Sequence, residues 1–438
     1  MFLRKRALTR IANEKVLYER HRGGDISVCV VYPNIYRLAM ANLGFQAVYH
    51  IFESTPRVDA DRAFLPLGPL VAEHVVSLSW QEREARGRVD AVIQPYRNVV
   101  GKLRAMEAHC RTCAEEINSK GFDVLFAHSC QFFRMSAIGR FVRLPKVMYQ
   151  HEPDRDLYEA SPRLPWLALP SPRGSSWAPR AIGRFVKDLV RVQALRIRAR
   201  EERESAAAFG QILVNSFYSR ESVLRAYGLE ARVCYLGVES GIFRALGLPR
   251  DRVVVGLGAI HQSKGIETAI QAVASIPEPQ RPALVWIGNF AVAAYLRDLN
   301  QQADSLRVKF VSRVGISDDD LVESLNRAAV MVYTSRLEPF GFAPLEANLC
   351  ETPVVAIAEG GVRETIVDGL NGILVPDRNP DLIGKTLAKI LDDPAWARRL
   401  GEQARAQAIE KWRWPRSIER LEGYLMEEIE KSGSHGDR

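Results

Sequence analysis

The sequence predicts an α/β protein made of two doubly wound parallel-sheet domains. A length of 438 residues exceeds what one ordinary core organises. Short apolar, β-branched runs alternate with longer helical patterns almost throughout, as expected of parallel strands covered on both faces. These runs fall into two series, parted by the Gly- and Pro-punctuated stretch "LGVESGIFRALGLPRDR" from Leu236 to Arg252.

The first series of predicted strands is "ISVCVVY" from Ile26, "HVVSLS" from His74, "DVLFAHS" from Asp123, "KVMYQH" from Lys146 and "QILVNS" from Gln211. The second is "RVVVGLG" from Arg252, "ALVWIGN" from Ala283, "RVKFVS" from Arg307, "VMVYTS" from Val330, "PVVAIA" from Pro353 and "GILV" from Gly372. This places a first domain at 1–245, with an atypical segment at 1–70, and a second at 246–408. A helical pattern at 409–431 precedes a short polar tail, 432–438, expected to be disordered. The Pro- and Ser-rich stretch from Ser161 to Arg180 reads as a long loop. Open α/β sheets bind ligands outside the carboxyl ends of their strands, so two such domains facing a cleft would hold the chemistry there.

Composition narrows the function classes. No apolar run approaches the roughly 20 residues that span a bilayer, and the basic start "MFLRKRALTRIANEK" has no apolar region behind it. With six scattered cysteines, these features suggest a cytoplasmic protein, with a peripheral place on the inner membrane face as an alternative. The net charge of +8 suits anionic ligands or an anionic membrane, and no nucleic-acid signature accompanies it. One basic concentration, Arg180 to Arg203, is a candidate membrane contact, aided by Trp166 and Trp177; a solvated helix interleaved with Glu201, Glu202 and Glu204 fits it as well.

The stretch "EPFGFAPLE" sets Glu338 at a strand's carboxyl end and Glu346 about a turn into the following helix. Pro344 is tolerated in a first helical turn, whose free N–H groups form an anion site. Two acids beside an anion site make sense for a ligand with hydroxyls next to phosphate: amides take the phosphate and carboxylates take sugar diols. A capped helix with two solvated acids fits the spacing equally. In "GLGAIHQSKGIETAIQAVA", Gly258 ends a strand and Lys264 stands before a helix, where it could neutralise a diphosphate, although an isolated Lys-Gly pair is more often solvated.

With these residues in place, "SRLEPFGFAPLEANLCETPVVAIAEGGVRETIVDGLNGILV", Ser335 to Val375, resembles the donor-binding core of family 4 glycosyltransferases, retaining enzymes of the GT-B fold. The likeness extends over roughly Val71 to Glu428. It implies a nucleotide-sugar donor as co-substrate, no cofactor, no metal, and a saccharide or lipid-linked acceptor in glycan or polysaccharide biosynthesis. By position it assigns Glu346 to the ribose, Glu338 to donor-sugar hydroxyls, and Lys264 with the amides of Gly341 and Phe342 to the diphosphate. His151 resembles a first-domain histidine near the sugar; a strand-end histidine with a structural role is the alternative, as for His128. The resemblance also implies a helix through Trp412 and Trp414 crossing back to the first domain, and front-face attack in which the leaving phosphate helps accept the acceptor proton. One departure is Ala259, where the family usually carries a second diphosphate cation; His261 is a candidate substitute.

Ile26 to Pro66 resembles instead the N-terminal cobalamin-binding-like segment of some radical-SAM proteins. That chemistry does not carry over, because "MEAHCRTC" offers Cys110 and Cys113 with Met106 where a first cluster ligand would stand. The acidic pairs Asp59/Asp61 and Asp154/Asp156 match a metal-holding pattern of a different fold and are read as chance. Two rival functions stay open: a nucleotide-sugar phosphorylase or epimerase of the same shape, and a non-catalytic or weakly active binding protein, which Ala259 would suit.

Overall fold

The computed structural model describes residues 26–32, 58–64, 87–129, 133–159, 164, 166–168 and 179–433. The chain divides into two units. One comprises the chain to Asn215 with Ser219–Cys234 and Ile418–Arg438; the other comprises Ser216–Tyr218 and Tyr235–Ser417.

In the first unit the strands are β1 (Ile26–Tyr32), β2 (Val58–Phe64), β3 (Val124–His128), β4 (Lys146–Gln150), β5 (Gln211–Val214) and β6 (Arg232–Val233). They form one sheet in the order β2-β1-β3-β4-β5-β6, every pair parallel. The near-continuous burial of β3, β4 and β5 matches their uniformly apolar sequence. β2 and β6 are not among the expected strands. Among the described residues both pair on one side only, and the polar "VDADRAF" and two-residue "RV" carry no buried-strand signature. The expected strand at His74 lies outside the described residues, as does most of the Ile26–Pro66 segment, of which only β1 and β2 fall within them.

Helix α1 (Arg88–Ser119) covers this sheet. Its Met106, Cys110, Ala114 and Ile117 fall on one helical stripe and pack with Leu125, Ala127, Met148, Ile212 and Val214. Cys110 is thus a core residue, and Cys113 sits half-buried with its Sγ 3.6 Å from His109 Nε2. Burial pushes the Cys113 thiol up to about 11. After β4 come α2 (Arg155–Tyr158), α3 (Pro179–Ala206) and α4 (Phe217–Tyr227). Asp154 caps α2 by accepting from the Asp156 amide at 3.0 Å, and it also pairs with Arg198.

In the second unit the strands are β7 (Asp251–Leu257), β8 (Ala283–Gly288), β9 (Phe310–Val314), β10 (Ala328–Tyr333), β11 (Val354–Ile357) and β12 (Ile373–Val375). Their order is β12-β11-β10-β7-β8-β9, again parallel throughout. The helices are α5 (Ile266–Ala274), α6 (Ala293–Ser305), α7 (Asp318–Arg327), α8 (Phe342–Leu349), α9 (Val362–Thr365), α10 (Pro380–Asp392) and α11 (Pro394–Lys411). The last helix, α12 (Trp414–Gly433), belongs to the first unit from Ile418 onward. Ile266, Ala269, Ile270 and Val273 of α5 and Ile383, Leu387 and Ile390 of α10 bury their helical stripes with Val254, Leu284, Trp286 and Val330.

Three local expectations shift. β9 begins at Phe310 rather than Arg307, because Arg307 turns through φ 53° and Val308 donates back to Ala303 O at 2.9 Å, closing α6. The helical pattern at 409–431 is broken: α11 ends at Lys411, Trp412 and Arg413 form a link, and α12 restarts at Trp414. Pro415 explains the break, since it has no N–H for Lys411 O and its ring opposes a continuous helix. Trp412 O accepts from Val238 N at 2.8 Å instead. α12 continues to Gly433, into the expected tail, and residues 434–438 lie outside the described residues.

One buried acid in the first unit has a measurable consequence. Glu202 of α3 is fully buried; Tyr227 Oη donates to its Oε2 at 3.3 Å, and Arg198 stands 4.0 Å from Oε1. Burial pushes its carboxyl up to about 7 against the pull of Arg198. The folded state therefore keeps a proton that the unfolded chain releases near the ordinary value of 4.5. The associated stability is full below that value and is lost as pH rises through about 7, to the extent of roughly 3 kcal/mol. In urea unfolding, Glu202→Gln keeps an acceptor for Tyr227 and should gain on the wild type progressively from pH 5 to pH 8. A constant difference across that range would refute the buried-proton account.

Candidate active site

β7 lies between β8 and β10, so the chain leaves it in one direction and returns on its other side. The loops at the carboxyl ends of β7 and β10 are thereby neighbours at the topological switch point, where open α/β sheets bind ligands. The first carries Lys264 and the second Glu338. Lys264 Nζ donates to Glu338 Oε2 at 2.7 Å, both side chains being mostly buried. The lysine stem runs past Gly258, where an added Cβ would stand 3.3 Å from Cδ and Cε. Two contacts tie the loops together: Thr334 Oγ1 donates to Lys264 O at 3.0 Å, and Arg336 N donates to Ser263 O at 3.0 Å. Ala259 leaves its position without a cation. His261 uses Nδ1 to accept the Ser263 amide at 3.2 Å, capping the single 3-10 turn that ends at Lys264.

Glu338 is held through its main chain. Gly361 N donates to Glu338 O at 2.8 Å, and Gly360, at φ +65°, lies so close that a Cβ there would meet that oxygen at 2.5 Å. Gly341, at φ 96°, starts α8 without a side-chain cap. The first amides of that helix, including that of Phe342, are thus available to an anion. Phe340 anchors the turn in a cluster with Leu345 and Trp412. Glu346 lies on α8, partly exposed; burial, reinforced by the negative charge of Asp318, pushes its carboxyl up to about 7. Ser335 Oγ is buried and has no hydrogen-bond partner among the described residues.

Two further residues belong to this edge and were not legible in the sequence. Arg378 donates to both carboxylate oxygens of Glu359 at 3.1 Å and, through Nη1, to Thr334 O at 3.2 Å. These three residues follow β12, β11 and β10, so one guanidinium ties three successive loops. Strand order is the signal that would have found them, and spacing along the chain does not reveal it.

His151 and His128 belong to the first unit. His151 follows β4 and His128 is the last residue of the adjacent β3, and their Nε2 atoms approach to 2.9 Å. Asn215 Nδ2 lies 3.3 Å from His151 Nδ1, and Asn215 Oδ1 accepts from Ser219 Oγ at 2.8 Å. Ser219 Oγ also lies 2.7 Å from the His151 carbonyl oxygen, so His151 is held at both ring nitrogens and through its main chain. Burial, aided by the charge of Arg134, lowers His151 to about 4; burial and His151 lower His128 well below the usual range. Both rings are neutral at physiological pH.

The close approach at Gly360 gives a test of how Glu338 is held. Gly360→Ala adds a Cβ at a left-handed φ and against the Glu338 carbonyl. The unfolding transition of the second unit should lose about 1–3 kcal/mol in urea titration. An unchanged midpoint would show that the loop yields freely.

Residues 240–407 match the family model described as "Glycosyl transferases group 1". An uncharacterized glycosyltransferase of Methanocaldococcus jannaschii is 34% identical over 172 residues, which is 39% of this chain and 44% of that protein. A D-inositol 3-phosphate glycosyltransferase of Frankia alni is 33% identical over 176 residues, 37% of this chain and 42% of that protein. The chain thus spans about half the length, or slightly less, of these curated relatives. Among solved structures, sucrose-phosphate synthase from Thermosynechococcus elongatus superposes with a TM-score of 0.64 at 19% identity, covering 93% of this chain and 100% of that one. Anabaena HepE in complex with UDP and glucose superposes with a TM-score of 0.62 at 18% identity, covering 92% and 99%. The chain therefore has the GT-B fold of these glycosyltransferases, with a glycosyl transferases group 1 match over residues 240–407.

Proposed function

We propose that this chain is a retaining family 4 glycosyltransferase that moves a hexosyl group from a nucleoside-diphosphate sugar to an acceptor hydroxyl. The observation that carries the reading is the Lys264–Glu338 contact beside the uncapped start of α8, at the carboxyl edge of the second unit's sheet and inside the matched region. A diphosphate and a polyol on one ligand suit this pair better than either group alone. Lys264 and the α8 amides take the diphosphate, with the buried Ser335 hydroxyl as a further donor. Glu338 accepts from sugar hydroxyls, and Glu346 from the ribose. The reaction breaks the bond between the anomeric carbon and the phosphate oxygen. It forms the new glycosidic bond on the same face, and the acceptor proton passes to the departing phosphate. Fixed donors around the leaving group stabilise the separated charge. No cofactor or metal enters this scheme. His151 is assigned to the sugar by resemblance; to touch a ligand through a ring nitrogen it must exchange its Asn215 or His128 contact.

The acceptor is a saccharide or a lipid-linked saccharide in glycan biosynthesis, used on the cytoplasmic side. UDP-glucose is the first donor to test, because HepE is known in complex with it. Ala259 favours one second reading, a nucleotide-sugar binder with weak transfer. Calorimetry and hydrolysis assays across UDP-, GDP- and ADP-glucose separate the two, since a binder that turns nothing over supports the second. Glu346→Ala should weaken the best donor by about tenfold or more, as expected for lost hydrogen bonds to a charged group. If no nucleotide-sugar binds, or if this substitution changes nothing, the transferase reading fails. The anomeric configuration of the product, read by NMR, tests retention.

The raised carboxyl of Glu346 adds a pH dependence. Only the ionised form accepts from both hydroxyls of a diol, and a group near 7 is mostly protonated at pH 6 and mostly ionised at pH 8. Donor affinity should therefore rise about tenfold over that interval and then level off. Glu346→Gln should abolish the rise, and a flat wild-type profile would remove Glu346 from the ribose.

A further inference from the structure

Helix α3 has two halves of opposite character. Its second half belongs to the protein: Ala194, Glu201, Glu202 and Ser205 are buried, Arg198 pairs with Asp154, Arg200 with Glu201 at 2.7 Å, and Arg203 donates to Tyr227 O at 3.2 Å. These later cations of the basic stretch are spent on the fold. In its first half Ile182, Phe185, Val186 and Leu189 are 47%, 62%, 43% and 52% exposed. Their spacing of i, i+3, i+4, i+7 makes one continuous apolar stripe. Arg180, Arg184, Lys187 and Arg191 repeat at i, i+4, i+7, i+11 and, at about 100° per residue, line the opposite side. That cationic side continues the face which the second half buries, so the apolar stripe points away from the body of the unit. Among the described residues none of these four cations has a carboxylate partner, and Asp188 is the single acid between Arg180 and Arg191.

We propose that residues 180–191 of α3 dock on an anionic lipid bilayer, with the apolar stripe at the acyl boundary and the four cations held near the phosphate layer. This sequence of charges and apolar residues has the composition of an interfacial helix: aromatic and aliphatic groups on one side, Lys and Arg on the other. Arginine and lysine stems reach around such a helix to place their charge at the headgroups. The charge decides the occupant. A second copy would set one cationic helix beside another, with only Asp188 to offset it, whereas an anionic surface attracts every one of these cations. The surface does not depend on the donor reading, since it involves no residue of the second unit.

The test is sedimentation of the full-length chain with sucrose-loaded vesicles of phosphatidylcholine, with and without one part in three of phosphatidylglycerol. Wild type should pellet with the anionic vesicles, less so in high salt, and weakly with phosphatidylcholine alone. Phe185→Glu with Leu189→Glu should lower partitioning by about tenfold or more, leaving the melting temperature and donor binding unchanged. Arg184→Glu with Lys187→Glu should abolish the preference for anionic vesicles. The proposal is overturned if wild type stays in the supernatant or if the apolar double variant partitions undiminished. It is equally overturned if wild type is a dimer in gel filtration that the double variant dissolves, since the stripe then belongs to a second copy.

Discussion

The pairing of β7 with β10 is the constraint on which the second unit's chemistry depends. Lys264 and Glu338 are far apart in the chain and meet because the sheet reverses its direction of growth at this place. The contact is a mostly buried ion pair, and such pairs contribute little net stability, because desolvation offsets much of the attraction. Its significance is as an exchangeable contact. A ligand that offers phosphate to the lysine and hydroxyls to the carboxylate replaces one charge pair with two matched sets of hydrogen bonds. A ligand offering only one of them leaves the other group buried with a poorer partner. On this account the pair selects for a ligand bearing both groups.

The rest of the edge is built to keep that pair in register. Main chain, more than side chain, fixes Glu338: the Gly360–Gly361 turn presses on residues 338–340, with Gly361 donating to the Glu338 carbonyl. Arg378 then spans Glu359 and Thr334, so the loops after β10, β11 and β12 move together. Thr334 passes the constraint on to the Lys264 carbonyl. A displacement at Arg378 therefore reaches the lysine through two hydrogen bonds, without touching either charged group of the pair.

What the sequence made legible follows from burial. Strands with both faces covered, such as β3, β5 and β11, write themselves as unbroken apolar runs. β2 and β6 end the sheet order among the described residues, carry no such run, and are silent in the sequence. The Glu338 and Glu346 spacing was readable because it is local to one turn and one helix. The Lys264–Glu338 contact, the Arg378 tie and the His128–His151 pair each join residues on different loops, and strand order, which no spacing encodes, decides them. The helical pattern across Trp412 was overread for a local reason: the apolar period continues through the break, while Pro415 forbids the hydrogen bond that would keep the helix whole.

Under the proposed nucleotide-sugar function, Ala259 changes how the site works. With one lysine, and that lysine already facing Glu338, the positive potential offered to a diphosphate is small. The uncapped start of α8 adds partial charge, equivalent to about half an elementary charge for a full helix dipole. Affinity for a donor must then come largely from its hydroxyls, which places more of the binding on Glu338 and Glu346. Burial and Asp318 push the Glu346 carboxyl up to about 7, so under the proposed assignment of Glu346 to the ribose that end of the ligand is the part of the contact most sensitive to solution conditions. A second cation, an arginine at residue 259, would shift weight back to the phosphate. It would raise leaving-group stabilisation, the term that acts on the transition state, more than ground-state affinity. The alanine therefore bears on turnover first and on binding second, and this separates a slow transferase from a chain that does not recognise nucleotide-sugars at all.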